Sequence, residues 1–248
     1  MSTHADNLTR DDTDKMTILE HLNELRDRLI KAVVALLIGT VVSLAFTPYF
    51  LEFLIAPMGG RQPISLKPTD TVIIYFKVAL VSGAVLAMPV IVYQLIRFVL
   101  PGLTENEKKY LKMIVPSAAG LFAIGVAFAV FVMLPFTIKY LQNFLADIIQ
   151  PTYSIDYYIS FVTTMMFWVG VIFETPLIVA FLARLGILSP QVLTKNRKYA
   201  IVLIAVLAAV ITPTPDPVNM TLVMVPLFVL FEIGVILAKI IYRPRSSA

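Results

Sequence analysis

The chain has no cysteine and only two histidines, His4 and His21, in its 248 residues. Disulfides are thereby excluded, and so is a zinc site built from Cys and His. Charge is scarce as well: Asp, Glu, Lys and Arg make up 15% of the residues, against roughly 25% in an ordinary soluble domain. No GxxxxGK[ST] loop is present to cradle phosphates, so any work the protein does draws its energy from elsewhere. Nor does the chain repeat internally, which speaks against a two-fold pseudosymmetric transporter.

What remains is apolar. Hydrophobic residues reach 58% and the mean hydropathy is +0.85, above the roughly 45–50% apolar usage of soluble domains. This is the composition of an integral membrane protein, with no room for a separate soluble domain. The formal net charge of +4 is scattered between hydrophobic runs, so no basic patch is available for nucleic acid.

The stretch Ile155–Arg184 carries a long apolar run broken by one internal charge, Glu174, in Phe173-Glu174-Thr175-Pro176. About 20 residues cross the ~30 Å hydrocarbon core, so this run places Glu174 within the bilayer. An ionised carboxylate there costs roughly 2.5–3.5 kcal/mol on insertion scales, and must be paired, protonated or turned to a wet cavity. Pro176 has no N–H for the carbonyl of Ile172 and predicts a kink. Two readings stand at this point: a polar functional site, or a protonated side chain that packs between helices.

The rest of the chain divides in the same way. Residues 1–16 are polar and acidic and predict a disordered tail, not a signal peptide. Residues 17–242 form one membrane domain and 243–248 a second short tail. Thr17-Ile18-Leu19-Glu20 reads as a capping box. The helix it opens begins amphipathic, at the membrane surface, and enters the bilayer from Ala32 to Phe46, with Pro48 at its far end.

Pro57-Met58-Gly59-Gly60 predicts a turn, and Thr69 and Asp70 offer N-caps for a second span over 71–97 that contains Lys77 and Pro89. A third span follows from Met113 to Leu134. Its Ala118, Ala119, Gly120 and Gly125 would admit a close neighbour, and Pro135 would end it. After the fourth span, Gly186 suits a helix C-cap and Ser189-Pro190 a new N-terminus. Tyr199–Ile211 is too short for a normal bilayer. Thr212 to Pro217 makes a hairpin to a sixth span, Val218–Ile241, interrupted by Pro226 and Glu232. The last two spans are expected to be short and to thin the bilayer locally.

Six spans put both termini on one side. Sixteen of the 20 Lys and Arg residues then share that side and four, Arg61, Lys67, Lys77 and Lys139, lie opposite. By the positive-inside rule both termini are cytoplasmic. Against that basic surface the acids Glu24, Glu105 and Glu107 stand out, since a carboxylate matches the planar fork of a guanidinium. Glu24 is equally placed for an i,i+4 pair with Arg28, Glu107 reads equally as a solvated loop charge, and Phe98 reads by composition as an interfacial anchor.

His21-Leu22-Asn23-Glu24-Leu25-Arg26-Asp27-Arg28-Leu29, Pro89-Val90-Ile91-Val92-Tyr93-Gln94 with Phe98 and Pro101, and Glu107-Lys108-Lys109 resemble the TatC family of twin-arginine translocase subunits. So do Phe173-Glu174-Thr175-Pro176, Thr212-Pro213 with Asp216, and Pro226 with Phe231-Glu232-Ile233-Gly234. The motifs run in order from Thr17 to Tyr242. The resemblance implies a cupped bundle of six transmembrane helices in the cytoplasmic membrane, which is a receptor for Arg-Arg signal peptides of folded preproteins. It also implies single-span TatA and TatB partners, further copies of the same chain, the proton-motive force as energy source, no cofactor and no enzymatic reaction.

Glu24, Arg26, Phe98 and Glu107 would then serve the signal peptide, and Glu174 would face the concave side. Pro57 and Asp216 would belong to the first and last periplasmic loops. Asn23 departs from the pattern, and Glu105 is an additional acid able to share the arginine contact with Glu107. From a different class, a proton-coupled small-molecule transporter would use Glu174 as its carrier. A membrane hydrolase is disfavoured, because the spans hold no His, Cys or paired Asp to activate a nucleophile.

Overall fold

A computed structural model describes residues 18–99, 105–184, 186–212 and 216–242, with the backbone alone for 18–20, 99 and 105–113. Both tails, Thr17 of the capping box, the Pro101 loop and Pro213 to Pro215 lie outside the described residues. The first long helix, α1 (Ile18–Leu44), turns by 77° into α2 (Thr47–Ile55), which ends in one 3-10 turn over Ala56–Met58. Pro48 sets this corner. It has no N–H for the carbonyl of Leu44, and the hydroxyl of Tyr75 donates to that oxygen instead, at 2.7 Å.

The next helix, α3 (Asp70–Val99), returns antiparallel to α1 and keeps Pro89 in its interior. Its first residue behaves differently from a simple N-cap. The Asp70 carboxylate is buried and accepts from the backbone N–H groups of Leu66 and Lys67, at 3.1 and 2.9 Å, so it ties back the preceding loop. The two helices approach until a Cβ added to Gly39 would lie 2.5 Å from the carbonyl oxygen of Gly83. Small residues allow this contact, as they do between membrane helices generally.

Pro135 does not end the third span. From α4 (Glu105–Phe128) the chain passes through a π turn at Ala129–Met133 into α5 (Leu134–Asn143). The wider i→i+5 turn relieves Pro135 of an N–H it cannot give, so the helix goes on past it. Gly125 lies against the next span, where its added Cβ would sit 2.9 Å from the Cα of Gly170, and Ala118 is buried. Gly120 meets nothing within 4 Å.

That next span is broken into α6 (Ile155–Phe173) and α7 (Thr175–Arg184). Gly186 follows with φ of 69°, the left-handed C-cap position, and Ser189 accepts from the Val192 N–H at 3.3 Å to start α8 (Pro190–Lys195). The hairpin of α9 (Arg197–Ile211) and α10 (Pro217–Ile241) completes the bundle. Of these, α9 has 15 residues, about 22 Å, and is short as expected. By contrast α10 is unbroken over 25 residues, long enough to cross a bilayer, and neither Pro226 nor Glu232 interrupts it. A polar residue removes no backbone hydrogen bond, and neighbouring helices support a proline within a packed span.

Among the described residues, four helical segments are long and apolar enough to cross a membrane, five if the bent pair of α1 and α2 counts as one span. Buried residues form one core between α6, α9 and α10, around Met165, Phe173, Ala208, Leu227 and Phe231. A second core lies beneath α2, around Leu54, Met58, Ile74, Leu134 and Ile159. Among the described residues no strand forms. A lone parallel bridge between Ile64 and Ser154 joins the loops after α2 and α5, with Ile155 N–H donating to Ile64 O at 2.9 Å.

Candidate functional site

The antiparallel register of α1 and α3 brings the first turns of one against the last turns of the other. There the ring of His21 stacks on Phe98, centroids 4.6 Å apart and planes 20° from parallel. One turn on, the Glu24 carboxylate meets Arg28, four residues along the same helix. Arg28 Nε donates to Oε1 at 2.9 Å, and Nη2 donates to the same oxygen. Arg28 Nη1 reaches Gln94 Oε1 on α3 at 3.4 Å, at the long end for a hydrogen bond. The pair is mostly buried, and Glu24 Oε2 is buried with no hydrogen-bond partner among the described residues. A carboxylate with one oxygen engaged and the other desolvated and unmatched favours a further donor strongly.

Other expected residues fall at different places. Arg26 is exposed and pairs with its neighbour Asp27 at 3.2 Å, on a different side of α1 from Glu24. Glu105 and Glu107 lie in the first turn of α4, where a helix N-terminus favours negative charge, but their side chains are outside the described residues. Five residues link α4 to the end of α3 that carries Phe98.

Glu174 occupies the break between α6 and α7. Its N–H donates to Val171 O at 3.1 Å, a tighter turn than α, and the helix resumes when Ile178 N–H reaches Glu174 O at 3.0 Å. The missing N–H of Pro176 accounts for this interruption. The Glu174 side chain is buried, and its Oε1 has no partner among the described residues. Behind the break α7 packs on α10, where a Cβ at Gly234 would lie 3.3 Å from Pro176 Cα.

Pro57 stands in the 3-10 turn after α2, held where Gln142 Nε2 donates to Met58 O at 3.2 Å. Asp216 is the N-cap of α10. Its Oδ1 accepts from Asn219 N–H at 2.8 Å and its Oδ2 from Asn219 Nδ2 at 2.9 Å. These residues are brought together neither with Glu24 nor with Glu174 by any contact among those described.

Two ion pairs escaped the reading of the sequence. Lys77 on α3 donates to Asp156 Oδ1 on α6 at 2.9 Å and to Ser160 Oγ at 2.6 Å. Arg197 at the start of α9 reaches Glu232 on α10 at 2.7 Å. In a chain this poor in charge, a Lys in one span and an Asp in another invite pairing, and that was the available signal. Among the described residues no three His, Cys, Asp or Glu side chains gather as metal ligands.

Long apolar helices, with carboxylates at the helix ends and one inside a broken span, define an all-helical multi-pass membrane protein. The sequence profile of the family described as Sec-independent protein translocase protein (TatC) matches residues 20–226. A TatC from Carboxydothermus hydrogenoformans is 36% identical over 233 residues, 93% of this chain and 96% of the relative. One from Aquifex aeolicus is 36% identical over 238 residues, 94% and 98% of the two chains. The crystal structure of a twin arginine translocase receptor, TatC, superposes with a TM-score of 0.79 at 37% identity, covering 90% of this chain and all of the other. The chain belongs to the TatC family of protein translocase components. It is therefore a transport protein and not an enzyme.

Proposed function

We propose that this chain is the receptor and core subunit of a twin-arginine translocase. It captures the Arg-Arg signal peptides of folded preproteins and exports them across the cytoplasmic membrane with TatA- and TatB-type single-span partners, driven by the proton-motive force. Six spans with both termini in the cytoplasm are part of this reading, supported by the asymmetry of Lys and Arg. In that frame Glu24, Phe98 and the first turn of α4 with Glu105 and Glu107 share the cytoplasmic face, and Pro57 and Asp216 lie in periplasmic turns. Arg26 belongs to the same face, turned to solvent.

One observation carries the reading: Glu24 offers a buried, unmatched Oε2 while Arg28 already occupies Oε1. An incoming guanidinium completes the carboxylate without displacing Arg28, as its planar fork suits. The apolar part of the signal peptide then lies along the bundle, with Glu174 receiving a polar group of a partner helix.

The test is binding of an Arg-Arg signal peptide and its Lys-Lys counterpart to the purified chain and to Glu24→Ala and Glu107→Ala. Loss of one charge-assisted bond, about 1.5–3 kcal/mol, weakens Arg-Arg binding by roughly 10- to 100-fold. Equal binding of both peptides to every form would sink the proposal. Family membership favours this function over proton-coupled transport of a small molecule through Glu174.

A further inference from the structure

Helix α2 leaves α1 at 77° and sorts its nine residues into three sides. Thr47 and Leu54 are buried against the bundle, and the Tyr158 hydroxyl donates to Leu54 O at 2.6 Å. Glu52 is exposed on a second side. On the third, Phe46, Tyr49, Phe50 and Phe53 recur at i, i+3, i+4 and i+7 and are all exposed, Tyr49 by 71%.

This stripe is not an island. Phe53 meets Phe131 edge-on at 5.6 Å, and Phe131, 67% exposed on the π turn, belongs to the apolar span Ile114–Asn143. At the end of α1 the neighbouring Val41 is equally open. The aromatic side of α2 thus continues into the apolar surface of a membrane span. Its depth agrees: Phe131 stands ~26 Å beyond Ile114, where that apolar span begins, near the far boundary of a ~30 Å hydrocarbon core.

We propose that α2 is an interfacial foot that rests in the headgroup–acyl boundary of the leaflet opposite the α1 N-terminus. Phe46, Tyr49, Phe50 and Phe53 enter the lipid, Glu52 faces water, and Thr47 and Leu54 bind the bundle. Helices whose sides divide in this way lie in the membrane plane, and aromatic rings favour that depth. Anchored so, α2 sets the height of the corner at Pro48 and of the loop carrying Pro57.

The absence of cysteine makes the test direct. The full chain carrying Tyr49→Cys, Phe50→Cys, Phe53→Cys or Glu52→Cys, one at a time, is nitroxide-labelled and reconstituted in phosphatidylcholine–phosphatidylglycerol vesicles, with Val41→Cys as the lipid standard. Collision with oxygen, which concentrates in acyl chains, is compared with collision with a water-soluble nickel chelate. Labels at 49, 50 and 53 are expected to favour oxygen, approaching the label at 41, and the label at 52 to favour nickel. Nickel access equal to that of 52 at all three aromatic positions would overturn the proposal, because the stripe then faces water. Protection from both reagents would overturn it too, since a second protein surface then covers the stripe.

Discussion

Lys77 on α3 gives its ammonium to the Asp156 carboxylate on α6 across 2.9 Å, and Ser160 Oγ closes the site at 2.6 Å. The pair pins two spans that otherwise meet through apolar contacts. Lys77→Met is expected to lower the melting temperature of the detergent-purified protein, because Asp156 is left without its cation. Exchanging the charges, Lys77→Asp with Asp156→Lys, should recover most of the loss. A single variant as stable as the parent would reduce the pair to a surface contact.

The seam between α4 and α6 leaves no room for one more carbon. A Cβ on Gly170 would stand 2.6 Å from Phe122 Cε2, and Phe122 is itself buried. Gly170→Ala should cost about 1–3 kcal/mol through overpacking. Gly120→Ala, on an open face of the same helix as Phe122, should cost nothing and gain up to about 0.5–1 kcal/mol from reduced backbone freedom. Thermal unfolding in one detergent compares the two, and equal effects would argue against a close glycine seam.

Glu174 has the signature of a residue kept at the expense of stability. Its Oε1 is buried without a partner among the described residues, a condition that costs about 1–3 kcal/mol. Glu174→Leu is therefore expected to hold or raise the melting temperature while export of an Arg-Arg preprotein falls. A clear drop in melting temperature, with export intact, would show the carboxyl to be a packing element instead.

Asp216 caps α10 through the Asn219 N–H at 2.8 Å. Asp216→Ala should lose about 0.5–2 kcal/mol, and Asp216→Ser, which preserves an acceptor at the cap, should lose less. If export rather than stability separates Ala from Ser, the residue acts through something other than the helix end.

Much of the local structure was readable residue by residue. The left-handed turn at Gly186 and the helix start at Ser189-Pro190 follow from chemistry within a few residues, and α9 is short because charges and a Pro-rich turn bound it closely. Prolines were harder. Pro48, Pro135 and Pro226 remove the same N–H, yet the first marks a 77° corner, the second follows a π turn and the third stays inside an unbroken helix. What differs is the neighbour that compensates the backbone, such as Tyr75 at the Leu44 carbonyl, and a neighbour 27 residues beyond Pro48 is invisible to a local pattern.

Composition and periodicity by themselves determined that this chain lives in a membrane, roughly where most of its spans lie, and that Glu174 sits inside one of those spans, because the cost of burying charge and unpaired backbone depends on residue type alone. Tertiary structure decided which charges meet. Gln94 reaches Arg28, Lys77 finds Asp156, Arg197 finds Glu232, and Phe98 finds His21, since each pair is separated along the chain and joined only when helices pack, whereas the Glu24–Arg28 pair lies within one helix and was legible locally. It also decided which small residues matter: Gly39, Gly83, Gly125 and Gly170 face a neighbour within a few ångströms while Gly120 faces open space, a difference set by helix rotation and close packing.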